Sequence, residues 1–285
     1  MASMLLRCGS RTLDLSTPIV MGVLNVTPDS FSDGGRYTVC DAAVAHALRM
    51  IEEGAALIDI GGESTRPGAQ AVDADEEIRR VVPVIEALAA RANALISIDT
   101  SKPAVMTAAV RAGATFINDA RALREPGALE AAAASGAAVC LMHMQGEPRT
   151  MQVEPRYGDV VVEVRDFLRE RAAGCMAAGI AKDRLVLDPG IGFGKRLEHN
   201  LALLAALPSL VALGWPVLVG VSRKSMFGAL LGRAVDERVA GGVAMATAAV
   251  LSGASIVRTH DVAPTVDAVK VAVALKEAEK VNRGT

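Results

Sequence analysis

Aromatic residues are scarce in this sequence and make up only 3% of its 285 residues. Proteins that bind single-stranded nucleic acids stack bases on aromatic side chains, and few such platforms exist here. The formal net charge is −2, and no run of five or six like charges supplies the basic face that duplex nucleic acids require. We therefore expect no nucleic-acid partner, and any anionic ligand must be held by a local cluster of basic side chains.

Cysteine is also rare, since the chain contains four cysteines and no Cys-x-x-Cys pair. Reduced, packed thiols are typical of a cytoplasmic protein, and the first ten residues lack the pattern of a signal peptide. Residues 203–221 and 239–257 each contain no charged side chain over 19 positions. Proline or glycine interrupts both stretches, which favours a buried helix, a turn and a buried strand. We expect a cytoplasmic protein that does not span a membrane.

Short apolar runs that end in polar or glycine residues alternate with longer amphipathic or alanine-rich segments. Continuous apolar strands of this kind are typical of a parallel sheet covered on both faces. The predicted strands are Ile19–Asn25, Leu57–Gly61, Leu95–Asp99, 116–118, 139–143, Leu185–Asp188, 216–221 and 255–260. The predicted helices include 41–53, 75–90, 103–111, 159–178, 236–251 and 264–280.

Eight strands with helices between them predict an α/β protein, either a doubly wound sheet or a barrel. The count of eight favours a (β/α)8 TIM barrel. Residues 4–15 predict a short N-terminal β-hairpin that closes the bottom of the barrel. No linker, low-complexity tract or repeat divides the sequence, so residues 1–285 are expected to form a single domain.

Nearly every predicted strand ends in a hydrogen-bonding or charged residue. In barrels of this class the catalytic groups lie at the carboxyl ends of the strands, so these residues predict an enzyme active site. Any one of them alone would be explained by a helix cap or a loop turn. The strand-end residues are Asn25, Glu63, Asp99, Asn118, Asp119, His143, Asp188, Ser222, Arg223, Lys224, Arg258 and His260.

The strand-end residues divide into two groups with different chemistry. Asp99, Asn118 and Asp188 suit a heterocycle with adjacent N–H donors and a carbonyl, because a carboxylate accepts two parallel hydrogen bonds. Helix capping is the alternative for both aspartates. Arg258 and His260, two residues apart on one strand, face the same way and lie where such barrels bind phosphate.

Two glycine-rich segments require separate interpretations. Residues 25–35 form a long polar loop, and we expect Asn25 and a diphosphate to share one Mg²⁺ ion, which prefers hard oxygen ligands. Residues 190–195 superficially match a nucleotide phosphate loop. That motif requires glycine and serine or threonine at the positions of Pro189 and Arg196, so the sequence excludes it.

Together these motifs resemble the dihydropteroate synthase family over about residues 19–274, almost the whole chain. The long segments at the two ends, residues 25–35 and 258–262, are the most specific. The matching segments are NVTPDSFSDGG at 25–35, ESTRPG at 63–68, SIDT at 97–100, IND at 117–119, HMQG at 143–146, DPGIGFGK at 188–195, SRKS at 222–225 and RTHDV at 258–262.

The resemblance implies a transferase of folate biosynthesis. Such an enzyme condenses 6-hydroxymethyl-7,8-dihydropterin diphosphate with para-aminobenzoate, giving 7,8-dihydropteroate and diphosphate, and is a target of sulfonamides. The family usually forms homodimers and uses Mg²⁺. By resemblance, the pterin is held by Asp99, Asn118, Met142, Asp188, Phe193 and Lys224, and the diphosphate by Asn25, Thr65, Arg258 and His260, with Asn25 at the metal. Phe31, Asp33, Ser64, Arg66, Pro67 and Ser222 correspond to the para-aminobenzoate site and its loops.

Two other functions stay open at this point. A pterin-dependent methyltransferase would share the pterin pocket but lack the diphosphate site, whereas Arg258, His260 and the Asn25 loop are present here. A silent paralogue that only binds a pterin or a protein partner would have lost Asn25, Arg223 or Lys224, which are all intact. The synthase is therefore the favoured prediction, with Asp99, Lys224, Arg258 and His260 as its catalytic residues.

Overall fold

The structure is a computed structural model that describes residues 4–27, 36–63, 72–147 and 150–283. Its strands are β1 Leu5–Cys8, β2 Arg11–Asp14, β3 Ile19–Asn25, β4 Leu57–Gly61, β5 Leu95–Asp99, β6 Phe116–Asp119, β7 Ala138–Met142, β8 Leu185–Asp188, β9 Leu218–Gly220 and β10 Ile256–Thr259. Its helices are α1 Arg36–Glu52, α2 Ala74–Arg91, α3 Pro103–Ala112, α4 Ala128–Ser135, α5 Val160–Ala177, α6 Leu197–Ala205, α7 Leu207–Val211, α8 Ser225–Leu231, α9 Val239–Leu251 and α10 Val262–Arg283.

Strands β3 to β10 form a nearly closed barrel of parallel strands. Within the described residues their order is β8-β7-β6-β5-β4-β3-β10-β9, so each neighbour in space is also the neighbour in sequence apart from the β10–β3 contact. A parallel bridge between Leu187 and Val217 joins the two ends of this order, and the Leu187 N–H donates to the Pro216 carbonyl at 2.9 Å. The predicted (β/α)8 TIM barrel is confirmed.

Residues alternate along each strand between the barrel interior and the surrounding helices. In β3, Met21 packs inside the barrel, whereas Val20 and Leu24 pack outward against the helices. The inner cluster lies at the amino-terminal halves of the strands and leaves the carboxyl ends to polar side chains. It comprises Leu6, Cys8, Leu15, Met21, Leu57, Leu95, Phe116, Ala138, Cys140, Val186, Leu218 and Ile256.

The N-terminal hairpin closes the amino-terminal end of the barrel, as predicted. Strands β1 and β2 pair antiparallel, with Leu6 opposite Leu13. Leu6 and Cys8 are fully buried in the inner cluster, whereas Leu5 on the same strand is 51% exposed. The hairpin thus supplies the apolar floor on which the polar layers of the barrel rest.

Four predicted strands, those beginning at Ile19, Leu57, Leu95 and Leu185, have the observed bounds. The helix predicted at 236–251 begins later, at Val239, and Val235–Glu237 instead forms a separate 3-10 turn. The Arg238 guanidinium donates to the carbonyls of Arg233 and Arg223, which folds this segment back before the α-helix starts.

Both uncharged stretches divide into helix, turn and strand. Residues 203–221 contain α7 and β9, and residues 239–257 contain α9 and the start of β10. No described helix has the length and hydropathy needed to cross a membrane. All four cysteines are free thiols, and burial raises the pKa of Cys8 to about 12 and that of Cys175 to about 11, which makes both unreactive.

The hairpin contribution to stability is tested by Leu6→Ala beside Leu5→Ala. Loss of a fully buried leucine leaves a cavity, so we expect Leu6→Ala to lower the free energy of unfolding by about 2–5 kcal/mol. Leu5→Ala should change it by about 0.5 kcal/mol or less, because the Leu5 side chain is largely exposed. Urea unfolding measures both, and equal effects would contradict the proposed role of the hairpin.

Candidate active site

The carboxyl ends of the strands surround an open cavity of about 370 Å³, a volume that includes the solvent at its mouth. Concave sites at this end of a barrel bind small molecules when a few polar groups converge on an apolar wall. Its lining residues are Asp99, Asn118, Ala120, Met142, Asp188, Ile191, Phe193, Gly220, Lys224 and Arg258. The structure therefore brings together all six residues that the family resemblance predicts for the pterin.

Strand register explains this convergence. Asn25 pairs with Gly61, Gly61 with Asp99, and Asp99 with Asn118, so these four residues lie at one level of neighbouring strands. Farther along the barrel, Met142 of β7 pairs with Asp188 of β8. Because side chains at matched positions of parallel strands face the same side, the inward residues at this level meet around a common space.

One ion-pair network joins the two groups that the sequence separated by chemistry. Arg258 Nε donates to Asp59 Oδ2 at 2.6 Å, and its terminal nitrogen donates to Asp99 Oδ2 at 2.7 Å. Asp59 also accepts from Asn118 Nδ2 at 2.8 Å and from Ser97 Oγ at 2.5 Å. The prediction of a separate basic group was incomplete, because Arg258 lies among the carboxylates at the base of the same cavity.

Burial brings the pKa values of two cavity residues, Asp99 and Lys224, close to physiological pH. It raises the pKa of Asp99 to about 7, with Arg258 opposing the rise and the charges of Asp59 and Glu77 adding to it. Burial lowers the pKa of Lys224 to about 8, and the nearby Arg258 charge adds to that effect. Burial would also lower the pKa of Arg258, but Asp59 and Asp99 outweigh it, so the guanidinium stays charged.

Helix capping does not account for Asp99. Lys102, not Asp99, occupies the N-cap position of α3 and makes no side-chain cap hydrogen bond there. Asp188 is different, since its Oδ1 accepts the Gly190 N–H at 2.7 Å and so shapes the turn after β8. Its carboxylate nevertheless lines the cavity, and burial raises its pKa.

The turn after β8 packs unusually closely against the end of β7. Gly190 has φ +66°, and a Cβ there would lie 1.9 Å from the His143 carbonyl oxygen. The buried Lys195 Nζ donates to His143 O at 3.2 Å and to Gly190 O and Phe193 O at 3.0 Å, and it contacts His143 Nδ1 at 2.9 Å. Tyr157 adds a hydrogen bond to Gly194 O at 2.8 Å.

These contacts fix the apolar wall of the cavity. They hold the turn so that Phe193 lies beneath Lys224, whose Nζ is 4.2 Å from the ring centroid. His143 itself lies behind this wall and is buried against Phe167, and burial together with the Lys195 charge lowers its pKa to about 3. Among the strand-end residues proposed from the sequence, His143 is thus a neutral packing residue beside the site.

A second cluster lies where β9 and β10 end. The Ser222 hydroxyl is 3.1 Å from His260 Nδ1 and accepts the His260 backbone N–H at 3.1 Å. Arg223 has φ +57° and pairs with Asp261 through two hydrogen bonds of 3.2 and 2.6 Å. The Arg223 charge is therefore already balanced. Burial and the charges of Arg258 and Arg223 lower the pKa of His260 to about 4, so its ring is neutral at pH 7.

Asn25 ends β3 and is the predicted metal ligand. The described residues contain no group of three or more histidine, cysteine, aspartate or glutamate side chains placed to hold a metal ion. Mg²⁺ commonly takes one or two protein oxygens and completes its shell with water and substrate phosphates. The half-buried Asn25 amide therefore fits a metal carried mainly by phosphate oxygens.

Six predicted site residues lie outside the described residues: Phe31, Asp33, Ser64, Thr65, Arg66 and Pro67. Glu63, next to four of them, is described. Its carboxylate accepts the Val72 N–H at 3.2 Å and pairs with Lys102, which also pairs with the buried Glu77. The residues on either side of positions 64–71 are thereby linked to each other and to α2 and α3.

The sequence patterns do not predict Asp59 or the role of Lys195. Asp59 lies in the middle of β4, whereas the predicted site residues lie at strand ends. A charged residue inside an otherwise apolar strand is costly to bury without a partner. The aspartate in the apolar run Leu57–Gly61 was therefore the feature of the sequence that indicates a buried ion pair. Lys195 was considered only as part of a phosphate loop, and nothing in the sequence indicates that it faces carbonyl groups.

The chain is similar to known proteins over most of its length. Residues 21–260 match the family model described as pterin binding enzyme. Dihydropteroate synthase of Escherichia coli K12 is 55% identical over 272 residues, covering 95% of this chain and 96% of that protein. Two solved structures superpose on this chain with TM-scores of 0.91, are 55% identical to it and cover 96% of it. The first is the Yersinia pestis dihydropteroate synthase with a sulfonamide drug complex, of which the superposition covers 100%. The second is the Xanthomonas albilineans dihydropteroate synthase with 4-aminobenzoic acid, of which it covers 99%.

The close turn after β8 is tested by Gly190→Ala beside Gly174→Ala. The added Cβ at Gly190 meets a backbone carbonyl in a left-handed conformation, so we expect the free energy of unfolding to fall by about 2 kcal/mol or more. Gly174 lies within α5 with open space at its Cβ position, and alanine there should stabilise by about 0.5–1 kcal/mol. Denaturant unfolding measures the free energy of unfolding of both variants. An unchanged value for Gly190→Ala would contradict the close packing of this turn against His143.

Proposed function

Because this chain belongs to the dihydropteroate synthase family of pterin-binding enzymes, we propose that its barrel cavity joins the two substrates of that reaction. The chain is a transferase of folate biosynthesis, which condenses 6-hydroxymethyl-7,8-dihydropterin diphosphate with para-aminobenzoate to give 7,8-dihydropteroate and diphosphate. The observation that carries this conclusion is 55% identity to a dihydropteroate synthase over 95% of the chain. The convergence of the predicted pterin residues on one cavity supports it.

In this proposal the cavity floor binds the pterin ring. Asp99, Asn118 and Asp188 offer oxygen acceptors to its N–H groups, while Lys224 offers a donor to a ring acceptor. Met142 and Phe193 supply apolar surface for the ring faces, and both line the cavity. Burial makes such hydrogen bonds discriminating, because a ring that lacks a donor would leave a buried acceptor unpaired.

The diphosphate in turn binds toward β10 and β3. Arg258 is charged and donates to Asp99, the carboxylate that we assign to the pterin ring. We also assign His260, Asn25 and Thr65 to the diphosphate. When bound, Mg²⁺ neutralises charge on the leaving diphosphate. The neutral His260 ring provides one N–H donor to a phosphate oxygen.

We infer an SN1-like reaction. The bond between the pterin methylene carbon and the diphosphate oxygen breaks first, and its electron pair leaves with the diphosphate. The ring nitrogens share the positive charge on the methylene, and Arg258 and His260 stabilise the charge on the leaving group. The amino nitrogen of para-aminobenzoate then forms the new C–N bond and loses one proton. The chain needs to supply no nucleophile, and its task is to bind, to orient and to exclude water.

Para-aminobenzoate is proposed to bind near Ser222, with the loop segments 25–35 and 63–68 completing its site. Its carboxylate then lies close to the hydroxyl of Ser222, which contacts His260 at 3.1 Å. Phe31, Asp33, Ser64, Arg66 and Pro67 are assigned to this substrate. The same site is proposed to bind sulfonamides, which share the aniline group.

We further propose a cytoplasmic homodimer that acts on small-molecule substrates. Exposed apolar side chains occur along the last two helices, at Leu251 of α9 and at Val271, Leu275 and Val281 of α10. Exposed apolar side chains on two neighbouring helices favour a contact between two copies of the chain. Light scattering of the purified protein tests the dimer, and a monomer at micromolar concentration would exclude it.

Activity is tested by incubating the protein with dihydropterin diphosphate, para-aminobenzoate and Mg²⁺ and following dihydropteroate by chromatography. We expect product that a sulfonamide suppresses. In a single turnover without para-aminobenzoate, the SN1-like mechanism predicts release of diphosphate, whereas strict dependence on para-aminobenzoate would exclude it. Pterin binding without any product would favour the silent paralogue, and methyl transfer from a methyl-pterin would favour the methyltransferase.

Lys224 gives a pH-dependent prediction. Its pKa is lowered to about 8 by burial and by Arg258, so the free protein carries this charge below pH 8 and loses it above. Affinity for dihydropterin diphosphate should therefore fall as the pH rises through about 8. Lys224→Arg keeps its charge and should bind more weakly at pH 7 but lack this alkaline decline. Titration calorimetry measures the affinity of both proteins for dihydropterin diphosphate across this pH range. Ionisation of the ligand affects both proteins equally, so the comparison isolates the effect of Lys224. The same loss of affinity at alkaline pH in both proteins would contradict a role for the Lys224 charge in binding.

A further inference from the structure

Asp59 lies at the middle of β4 and points into the barrel below the cavity. It is fully buried, and both carboxylate oxygens are occupied within the described chain. Oδ1 accepts from Ser97 Oγ at 2.5 Å, and Oδ2 accepts from Asn118 Nδ2 at 2.8 Å and from Arg258 Nε at 2.6 Å. Asp59 does not line the cavity, so it reaches a ligand only through these neighbours.

The first consequence concerns the Asn118 amide. An amide has a donor end and an acceptor end, and its orientation is decided by its hydrogen-bond partners. The Asp59 carboxylate accepts only, so it selects the orientation in which Nδ2 faces Asp59. The amide oxygen of Asn118 is then the end directed away from Asp59, and it can accept an N–H from a ring in the cavity. With the reverse orientation, two oxygens would face each other in a buried position.

The second consequence concerns the plane of the Arg258 guanidinium. Its five N–H donors lie in a fixed planar fork. Asp59 takes the Nε–H, and Asp99 takes a hydrogen of one terminal nitrogen. Two contacts on different nitrogens fix the plane. Within the described residues no hydrogen bond involves the other terminal nitrogen, so its two donors can serve an anionic group. Asp59 therefore decides where those donors point.

We propose that Asp59 is a positioning residue that orients the Asn118 amide for the pterin ring and the Arg258 guanidinium for the diphosphate. This inference rests on the proposed function, because it concerns how the same cavity binds the pterin substrate. A single carboxylate in the layer beneath thereby couples ring recognition to leaving-group binding. Para-aminobenzoate, which is assigned to the Ser222 side and the loops, should be unaffected.

The test compares Asp59→Ala and Asp59→Asn by steady-state kinetics, with Asp183→Ala as control, since Asp183 is exposed and pairs only with Arg7 in the described chain. Asp59→Ala removes the acceptor for Asn118 and Arg258, so the KM for dihydropterin diphosphate should rise about tenfold or more. The KM for para-aminobenzoate, measured at saturating pterin substrate, should change by about twofold or less. Circular dichroism confirms that each variant is folded.

Asp59→Asn is the conservative variant, which should retain the binding of dihydropterin diphosphate that Asp59→Ala loses. Its amide oxygen can accept from Asn118 and Arg258 while its NH₂ donates to Ser97 Oγ, so its pterin KM should stay within about threefold of the wild type. If Asp59→Ala does not fold, Ser97→Ala provides the test instead. That variant removes only the donor to Oδ1, and a rise in pterin KM of about threefold is expected.

Several outcomes overturn the inference. An unchanged pterin KM in folded Asp59→Ala or in Ser97→Ala would do so. Equal rises in both KM values would indicate a general structural role, and Asp59→Asn as impaired as Asp59→Ala would exclude orientation by hydrogen bonding. A wild-type protein that forms no dihydropteroate would instead refute the proposed function, so the two failures are distinguishable.

Discussion

The contact between Arg258 and Asp59 inside the barrel is the interaction on which the site depends. A fully buried carboxylate and a largely buried guanidinium are costly to desolvate, and removing Arg258 would leave the Asp59 charge without an ionic partner in the described chain. Here the cost is offset by hydrogen bonds, since Asp59 accepts three of them and Arg258 also reaches Asp99 at 2.7 Å. The pair holds the acceptors and the cation of the cavity in one arrangement before any ligand binds.

The barrel makes this arrangement possible because its layers alternate in polarity. The N-terminal hairpin and the inner cluster form an apolar floor, and Asp59 and Ser97 lie paired at the next inward level. The level above carries Asn25, Asp99 and Asn118, where a ligand enters, and Arg258 of β10 bonds to Asp59 below and to Asp99 above. Preorganised charges above an apolar floor are worth more than the same charges in water, which suits a reaction in which a diphosphate departs.

Much of the fold follows from local sequence patterns. Apolar runs that end in polar residues predicted the strands, and four of them have the observed bounds, because a strand buried on both faces requires a largely apolar segment. The residues lining the cavity were also predictable, since parallel strands bring their carboxyl ends to one edge of the barrel. The resemblance to a known family assigned chemistry to those residues.

The side chains that pair with each other in the folded chain were not predictable in the same way. Arg258 was expected to face phosphate alone, yet it pairs with a carboxylate 199 residues away in sequence. The pairing of Arg223 with Asp261 and of Lys195 with three carbonyls likewise depends on which loops meet in space. Periodicity identifies the face of a strand that a residue occupies, but it does not identify the residue opposite.

We propose that one cavity binds the pterin ring at Asp99, Asn118 and Asp188 and the diphosphate at Arg258. A crystal structure of the chain with dihydropterin diphosphate and Mg²⁺ tests this assignment. We expect ring N–H groups to donate to those three residues, with Arg258 still bonded to Asp59 and its other terminal nitrogen donating to the diphosphate. A ring bound elsewhere, or a diphosphate that does not contact Arg258, would refute the assignment.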